Sequence, residues 1–467
     1  MDHSLVRVCE IKLTGFKNTD HGVVTMPSAL SNAHFSRKAD VLGIYGQNGS
    51  GKTAVIEAMD FIQRLLTGRS LPADTVEYIG KEHTHCSIEV IFAIEIDGVQ
   101  TKIEYSTTFS RSEENGFLIS KESLVSYLWD GEKFERKRTL LSFNNAEENG
   151  HFTPEFRYKA LIQANEENKV NLGVANKLAQ KEHCSVIFGK EGRKIFLSAP
   201  IEVSTDYRDV ITVLHHYAHV NLFVIPNAHS SVISLNLMLP FAFRLNIGNA
   251  IAKGDLPVRL DGPSVITKDH YQIVRQILGE MNMVLTKMVP GLSIDIYDFG
   301  EQLLESGAVG HKIELMSRRD DVCIPLKYES EGIIKIISIL NVLMCVFNDP
   351  SMCLMIDELD SGIYEYLLGE LLSVFEKGAK GQLLFTSHNL RALEMLNKSS
   401  IIFSTTNPEN RYIRLQYVKT NNNLRDMYLR SITLGGQKED VYAETDTVEI
   451  GRAFRRAGKA VQNGGKK

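Results

Sequence analysis

Apolar and polar positions change period several times along this chain, and each change marks an element. Residues 5–13 (LVRVCEIKL) are rich in β-forming side chains and run into Gly15, Phe16 and Lys17, while VLGIY at 41–45 ends abruptly at Gly46. Both stretches predict strands. From Lys52 the apolar residues Val55, Met59, Ile62 and Leu66 recur at helical spacing, with Gly68 as a stop. Ile88, Val90, Phe92, Ile94 and Ile96 then alternate with other residues, Asp97-Gly98 supplies a two-residue turn, and Val99, Thr101, Ile103 and Tyr105 alternate back. That pattern predicts a β-hairpin and an antiparallel sheet after the first helix.

Downstream, 140–175 is polar and reads as a boundary, and 207–289 has mostly helical periodicity. Short β-like segments return over 292–327. Ile333 to Phe347 is apolar on nearly every side, which predicts a buried helix, and MCLMI at 352–356 predicts a fully buried strand. Ile363, Tyr366, Leu367, Leu371, Val374 and Phe375 mark another helical face, and LLF at 383–385 and IIF at 401–403 are further strands. The expected class is α/β. The pattern divides into 1–140, a mainly helical insertion or lid over 141–291, a second α/β stretch over 292–410, and a C-terminal extension over 411–467.

Composition narrows the class. A chain of 467 residues has length for about three domains. With 43% apolar and 23% charged residues, wholesale disorder is excluded. A net charge of −5 argues against a surface that coats nucleic acid throughout, since phosphate binding needs clustered Lys and Arg. The six cysteines are scattered with no C-x-x-C pair, which fits a reducing cytoplasm. The N-terminus lacks the apolar core of a signal peptide, and the run Ile333–Phe347, broken by Lys335, is short for a membrane span. A cytoplasmic protein without a membrane segment is expected.

The chemistry sits at the changes of period. Gly46-Gln47-Asn48-Gly49-Ser50-Gly51-Lys52-Thr53 matches G-x-x-x-x-G-K-[ST] between a predicted strand and a predicted helix. Glycines let the backbone curl so that N–H groups face phosphate, and the helix N-terminus adds positive potential. Lys52 is placed to reach the β- and γ-phosphates, and the Thr53 hydroxyl to ligate Mg²⁺. Such a loop needs an acidic strand end, and LMIDE at 354–358 offers Asp357 for the metal and Glu358 to orient or deprotonate water. Asp360 and Ser361 follow directly. At the end of strand LLF stand Thr386, Ser387, His388 and Asn389, where ligands bind in open α/β sheets; His388 is placed to contact the γ-phosphate.

GQNGSGKT, IDELDSG and FTSHN, in that order, resemble the phosphate loop, acidic strand, D-loop and switch histidine of ABC-type ATPase heads. The wide separation of the first two is similar to the SMC and RecF branch. Within it, GFKN, ISKESL, FER and YESEG resemble the ATPases of the overcoming-lysogenization-defect class and their antiphage relatives, over roughly 1–140 and 290–410. The resemblance implies an ABC-type P-loop head, a mixed sheet with an antiparallel β subdomain, that hydrolyses ATP with Mg²⁺. It places the signature loop at Tyr328-Glu-Ser330-Glu-Gly332, where Ser330 and Gly332 alone keep the usual pattern, and has these two close the site of a second protomer with Asp360 nearby. It further implies a homo-oligomer built on a dimer unit and a sensor role in antiphage defence, resembling PARIS-type and Septu-type ATPases. There, a phage protein is the trigger and a separately encoded effector, such as a nuclease, the output.

Thr433-Leu-Gly-Gly-Gln437 looks closer to LSGGQ in letters but follows the switch histidine, so it reads as a surface loop. His215, His216 and His219 read as a helix face, and His83-x-His85-Cys86 lacks a second ligand cluster. Neither an HNH-like nuclease around His215, His216, Asn227 and His229 nor a metal-binding D-x-D pair after residue 400 is supported. The reading is of an ATPase without its own nuclease. Arg452, Arg455, Arg456, Lys459, Lys466 and Lys467 form a basic, acid-free tail from Gly451 on, read as solvated. The alternative is a RecF- or SMC-like clamp that grips DNA on ATP binding; a transporter ATPase is disfavoured by the long insertion.

Overall fold

The computed structural model describes residues 4–464 apart from 114–115, 130–133, 146–150, 200, 249, 305–306, 416–423, 435–436 and 444. Its centre is a six-stranded sheet in the order Tyr412–Ile413, Ile401–Ser404, Asp40–Tyr45, Gln382–Thr386, Cys353–Ile356 and Leu222–Ile225. All neighbours run parallel except the first pair. Every residue of Asp40–Tyr45 and Cys353–Ile356 is buried, as expected for strands covered on both faces. Parallel pairing brings the C-terminal ends of three strands, at Tyr45, Ile356 and Thr386, to one edge, which is where the functional motifs begin.

A second, seven-stranded antiparallel sheet runs Thr19–Thr25, Ser4–Phe16, His85–Ile96, Val99–Ser112, Gly116–Trp129, Phe134–Asn144 and His151–Thr153. The hairpin expected at Asp97-Gly98 is present, with Ile96 opposite Val99. The phosphate-loop helix, Lys52–Leu66, lies between the two sheets. Its sequence suggests one apolar stripe, yet Ala54, Ile56, Ala58, Phe61 and Leu65 are buried along with Val55, Met59, Ile62 and Leu66, because both sheets cover it. Two buried polar residues tie the sheets. Arg7 donates to Pro350 O and Lys380 O at 3.1 and 2.9 Å, and Gln382 bonds both backbone groups of Val8.

The opposite face of the central sheet packs against Glu331–Asn348 and Glu365–Gly378, which form a second core. The helix Glu331–Asn348 is long and apolar enough by length and composition to cross a membrane, but its side chains fill two cores of the protein. A third core joins it to Lys268–Met288, to the hairpin Met238–Ile247 and Ala250–Arg259, and to a sheet of Ser264–Thr267, Leu292–Leu303, Val309–Arg319 and Val322–Pro325.

The middle of the chain corrects the sequence reading. Helices do occupy Glu155–Ala164, Asn168–Glu182, Lys190–Ser198 and Ile201–Val220. But Leu222–Ile225 is the edge strand of the central sheet, paired with Cys353–Ile356, so 141–291 is no insertion standing apart from the head. Four apolar residues are too short to reveal a period. The hairpin at 238–259 escaped because Pro240 and Pro257, which argue against a strand, sit opposite each other in it. The Leu-Gly-Gly-Gln stretch adjoins the end of helix Leu424–Leu434; Gly435, Gly436, Lys466 and Lys467 lie outside the described residues. The basic tail is for the most part a helix, Thr447–Gly464.

Candidate nucleotide site

The phosphate loop leaves strand Asp40–Tyr45 at Gly46, whose φ of +152° and packing both demand glycine: a Cβ there would stand 2.0 Å from the Ser404 hydroxyl. Ser50 accounts for the close approach, since its hydroxyl bonds Ser404 Oγ at 2.5 Å and Gln47 O at 2.6 Å. Gly51, in the left-handed region at φ +89°, is the N-cap of helix Lys52–Leu66. Neighbouring elements clasp the loop from outside. Asn18, in the turn after Ser4–Phe16, bonds Gly49 O, and the Tyr412 hydroxyl donates to Gly51 O at 2.6 Å.

Lys52 is 6% exposed, and its ammonium donates to Gly46 O and Gln47 O at 2.9 Å each. Burial lowers its pKa, and Asp357, Glu358 and Asp360 oppose that shift. Thr53 and Asp357 meet although 304 positions apart, with Oγ1 to Oδ1 at 3.3 Å. The other carboxylate oxygen of Asp357, Oδ2, is buried without a hydrogen-bond partner among the described residues. An orphaned anionic oxygen beside a threonine hydroxyl is a donor set that would suit a hydrated divalent cation.

Thr386 arranges the acidic pair. Its hydroxyl donates to Asp357 Oδ1 at 2.5 Å and accepts from the Glu358 amide at 2.7 Å. Glu358 has φ +47°, an uncommon conformation for a residue with a Cβ. From the other side Lys335, 3% exposed, donates to Glu358 O at 2.5 Å. His388 is exposed, and its amide donates to Asp360 Oδ2 at 3.0 Å. Burial, and then the Lys52 charge, push the His388 imidazole below its ordinary range.

Asn48, Gly49, Gly51, Lys52, Thr53, Asp357, Glu358 and His388 line one cleft of about 430 Å³, together with Lys17 and Asn18. The remaining expected residues have other places. Gly46 and Ser50 shape the loop from behind, and Gln47 Oε1 accepts from the Ala443 amide of the C-terminal extension at 2.7 Å. Ser330 is the N-cap of helix Glu331–Asn348, accepting from Ile333 N. Gly332 packs against the D-loop of its own chain, where a Cβ would stand 1.9 Å from Gly362 O. Neither Ser330, Gly332 nor Asp360 lines the cleft of its own chain.

Lys17, Asn18, Lys335 and Tyr412 are site residues that the sequence reading does not pick out. A lone lysine in an otherwise apolar helix was the available signal for Lys335; nothing in the sequence pointed Tyr412 at the loop. Among the described residues the histidines at 83, 215 and 219 form no shared site with the cleft: His215 and His219 meet edge to face with ring centroids 4.8 Å apart, and His83 pairs with Asp20 at 2.7 Å.

No protein-family model matches the chain, and no curated protein matches it in sequence. Among solved structures, an Smc head bound to the C-terminal winged-helix domain of ScpA is 14% identical, with a TM-score of 0.43, covering 88% of this chain and 98% of that one. The SMC head domain from Thermotoga maritima is 13% identical with a TM-score of 0.37, covering 88% and 99%. RecF with ATP, from the RecFOR pathway, is 13% identical with a TM-score of 0.33, covering 82% and 94%. By its mixed central sheet, its antiparallel second sheet and the loop between them, the chain has the fold of an ABC-type P-loop ATPase head.

Proposed function

We propose that the protein binds Mg²⁺-ATP in this cleft and hydrolyses it, pairing with a second copy through composite sites. The observation that carries the reading is the Thr386 hydroxyl holding Asp357 and Glu358 together against the phosphate loop. In the proposed mechanism the loop amides and Lys52 bind the β- and γ-phosphates, and Thr53 and Asp357 would hold Mg²⁺, which would supply positive charge to neutralise the phosphates. Glu358 accepts a proton from the attacking water, and His388 contacts the γ-phosphate from the rim.

Pairing is supported by what surrounds Ser330 and Gly332. Tyr328 and Tyr364 are each 68% exposed, and Leu235 is 67% exposed just past helix Asn227–Ser234, whose Ser234 bonds Glu331. Exposed aromatic and apolar side chains beside the signature and D-loop suit burial by another protomer. The reading is tested by light scattering of the Glu358→Gln variant: ATP should double its mass, and an unchanged mass would sink the composite site.

The biological output proposed is control of a separately encoded effector in antiphage defence. This finer reading rests on the resemblance of GQNGSGKT, IDELDSG, YESEG and FTSHN to that class. Co-purification with the product of a neighbouring gene, with and without ATP, tests it. The clamp alternative draws on exposed Arg452, Arg455 and Arg456 along helix Thr447–Gly464. Binding of duplex DNA that falls steeply from 50 to 200 mM salt would favour the clamp, and no binding would exclude it.

A further inference from the structure

Lys335 is buried in the second turn of the helix that starts at the signature residues, and its ammonium ends on the carbonyl of Glu358. Glu358 needs such a tether. Its backbone is in the left-handed region, a conformation that is unfavourable for a residue with a Cβ and persists only where its surroundings over-determine it. The two tethers come from opposite sides: Thr386 holds the Glu358 amide and Lys335 the carbonyl. The same ammonium faces a cluster of like charges. Asp357, Glu358, Asp360 and Glu331 all lie close enough to act on it, with Asp360 the strongest, and Asp360 in turn holds the His388 amide. Removing Lys335 would leave carboxylates on one turn of chain without their cation from behind.

The helix carrying Lys335 is rigid at this end. Gly332 packs backbone to backbone on Gly362, Ser330 caps the helix, and Ile334, Ile336 and Ile337 fill the cores on its flanks. A displacement at Ser330 therefore moves Lys335 with it rather than being absorbed between them. Building on the composite-site reading above, we infer that Lys335 is a positioning residue that links the two sites of a pair. Capture of the partner's nucleotide by Ser330 and Gly332 sets, through Lys335, the orientation of Glu358 in the same chain's own cleft. Each site then turns over efficiently only when its neighbour is filled.

The test compares the full-length parent with Lys335→Met, Lys335→Gln and Lys335→Arg. Methionine fills similar volume without the ammonium, and melting temperature controls for folding. The expected result is nucleotide affinity within about threefold of the parent, kcat about 100-fold lower in the Met variant, and partial recovery in Arg. The Hill coefficient for ATP should fall from near 2 to near 1. As a second readout, mixed pairs in which one copy carries Ser330→Arg should lose nearly all activity rather than half. Three outcomes overturn the inference: a Met variant with the parent's kcat and Hill coefficient, a loss of kcat that tracks loss of melting temperature in all three variants, or mixed pairs with half activity. A parent that hydrolyses ATP without ever pairing would instead sink the composite-site reading itself, which separates the two failures.

Discussion

Lys52 and Glu358 illustrate how differently neighbouring charges act in one cleft. Lys52 is buried against its own loop carbonyls, and three carboxylates oppose the effect of that burial on its ammonium. Lys52→Ala should weaken ATP binding at least tenfold, measured by titration with a fluorescent nucleotide, since a charge-assisted contact is worth about 1.5–3 kcal/mol. Glu358→Gln keeps the shape and should bind ATP normally while kcat falls about 10²- to 10⁴-fold, read by phosphate release. His215 carries a prediction about pH. Burial brings its pKa down to about 4, with Arg193 and His219 adding to the effect, whereas the unfolded ring titrates near 6.5. The unfolded chain thus takes up the proton first. This contribution to stability is whole above pH 6.5 and shrinks as pH falls toward 4. Melting temperature between pH 7.5 and 4.5 should fall less steeply for His215→Gln than for the parent.

At the scale of elements, the motifs were legible because each lies where the period changes. Strand Asp40–Tyr45 and helix Lys52–Leu66 flank the loop as the sequence predicts, and MCLMI, LLF and IIF are strands within a residue or so of their expected bounds. Leu222–Ile225 and the hairpin at 238–259 were not legible: the first is too short for periodicity, and the second has prolines that edge strands tolerate and propensity rules reject. Glycine contacts between elements give a sharp test. Gly332→Ala would drive a Cβ to within 1.9 Å of Gly362 O, which is backbone and cannot swing away. The D-loop or the signature helix must shift, so stability should fall by about 1–3 kcal/mol by denaturant titration, and ATP-driven pairing should weaken with it.

For the whole molecule, residues far apart in sequence become one site because parallel strands end side by side. The order of Asp40–Tyr45, Gln382–Thr386 and Cys353–Ile356 in the sheet sets Gly46, Thr386 and Asp357 along one edge. The amino-acid sequence by itself determined the phosphate loop, the acidic strand end and the switch-histidine turn, since each is a local match between residue type and backbone period. Only the tertiary structure decided that Thr386 arranges both acids, that Lys335 reaches Glu358 from the signature helix, that Ser330 and Gly332 lie outside their own chain's cleft, and that the middle of the chain supplies a strand of the central sheet. The physical reason is range. Period and turn chemistry act over a few residues, whereas these contacts are set by which strands pair and which helix faces pack, and no local pattern encodes that choice.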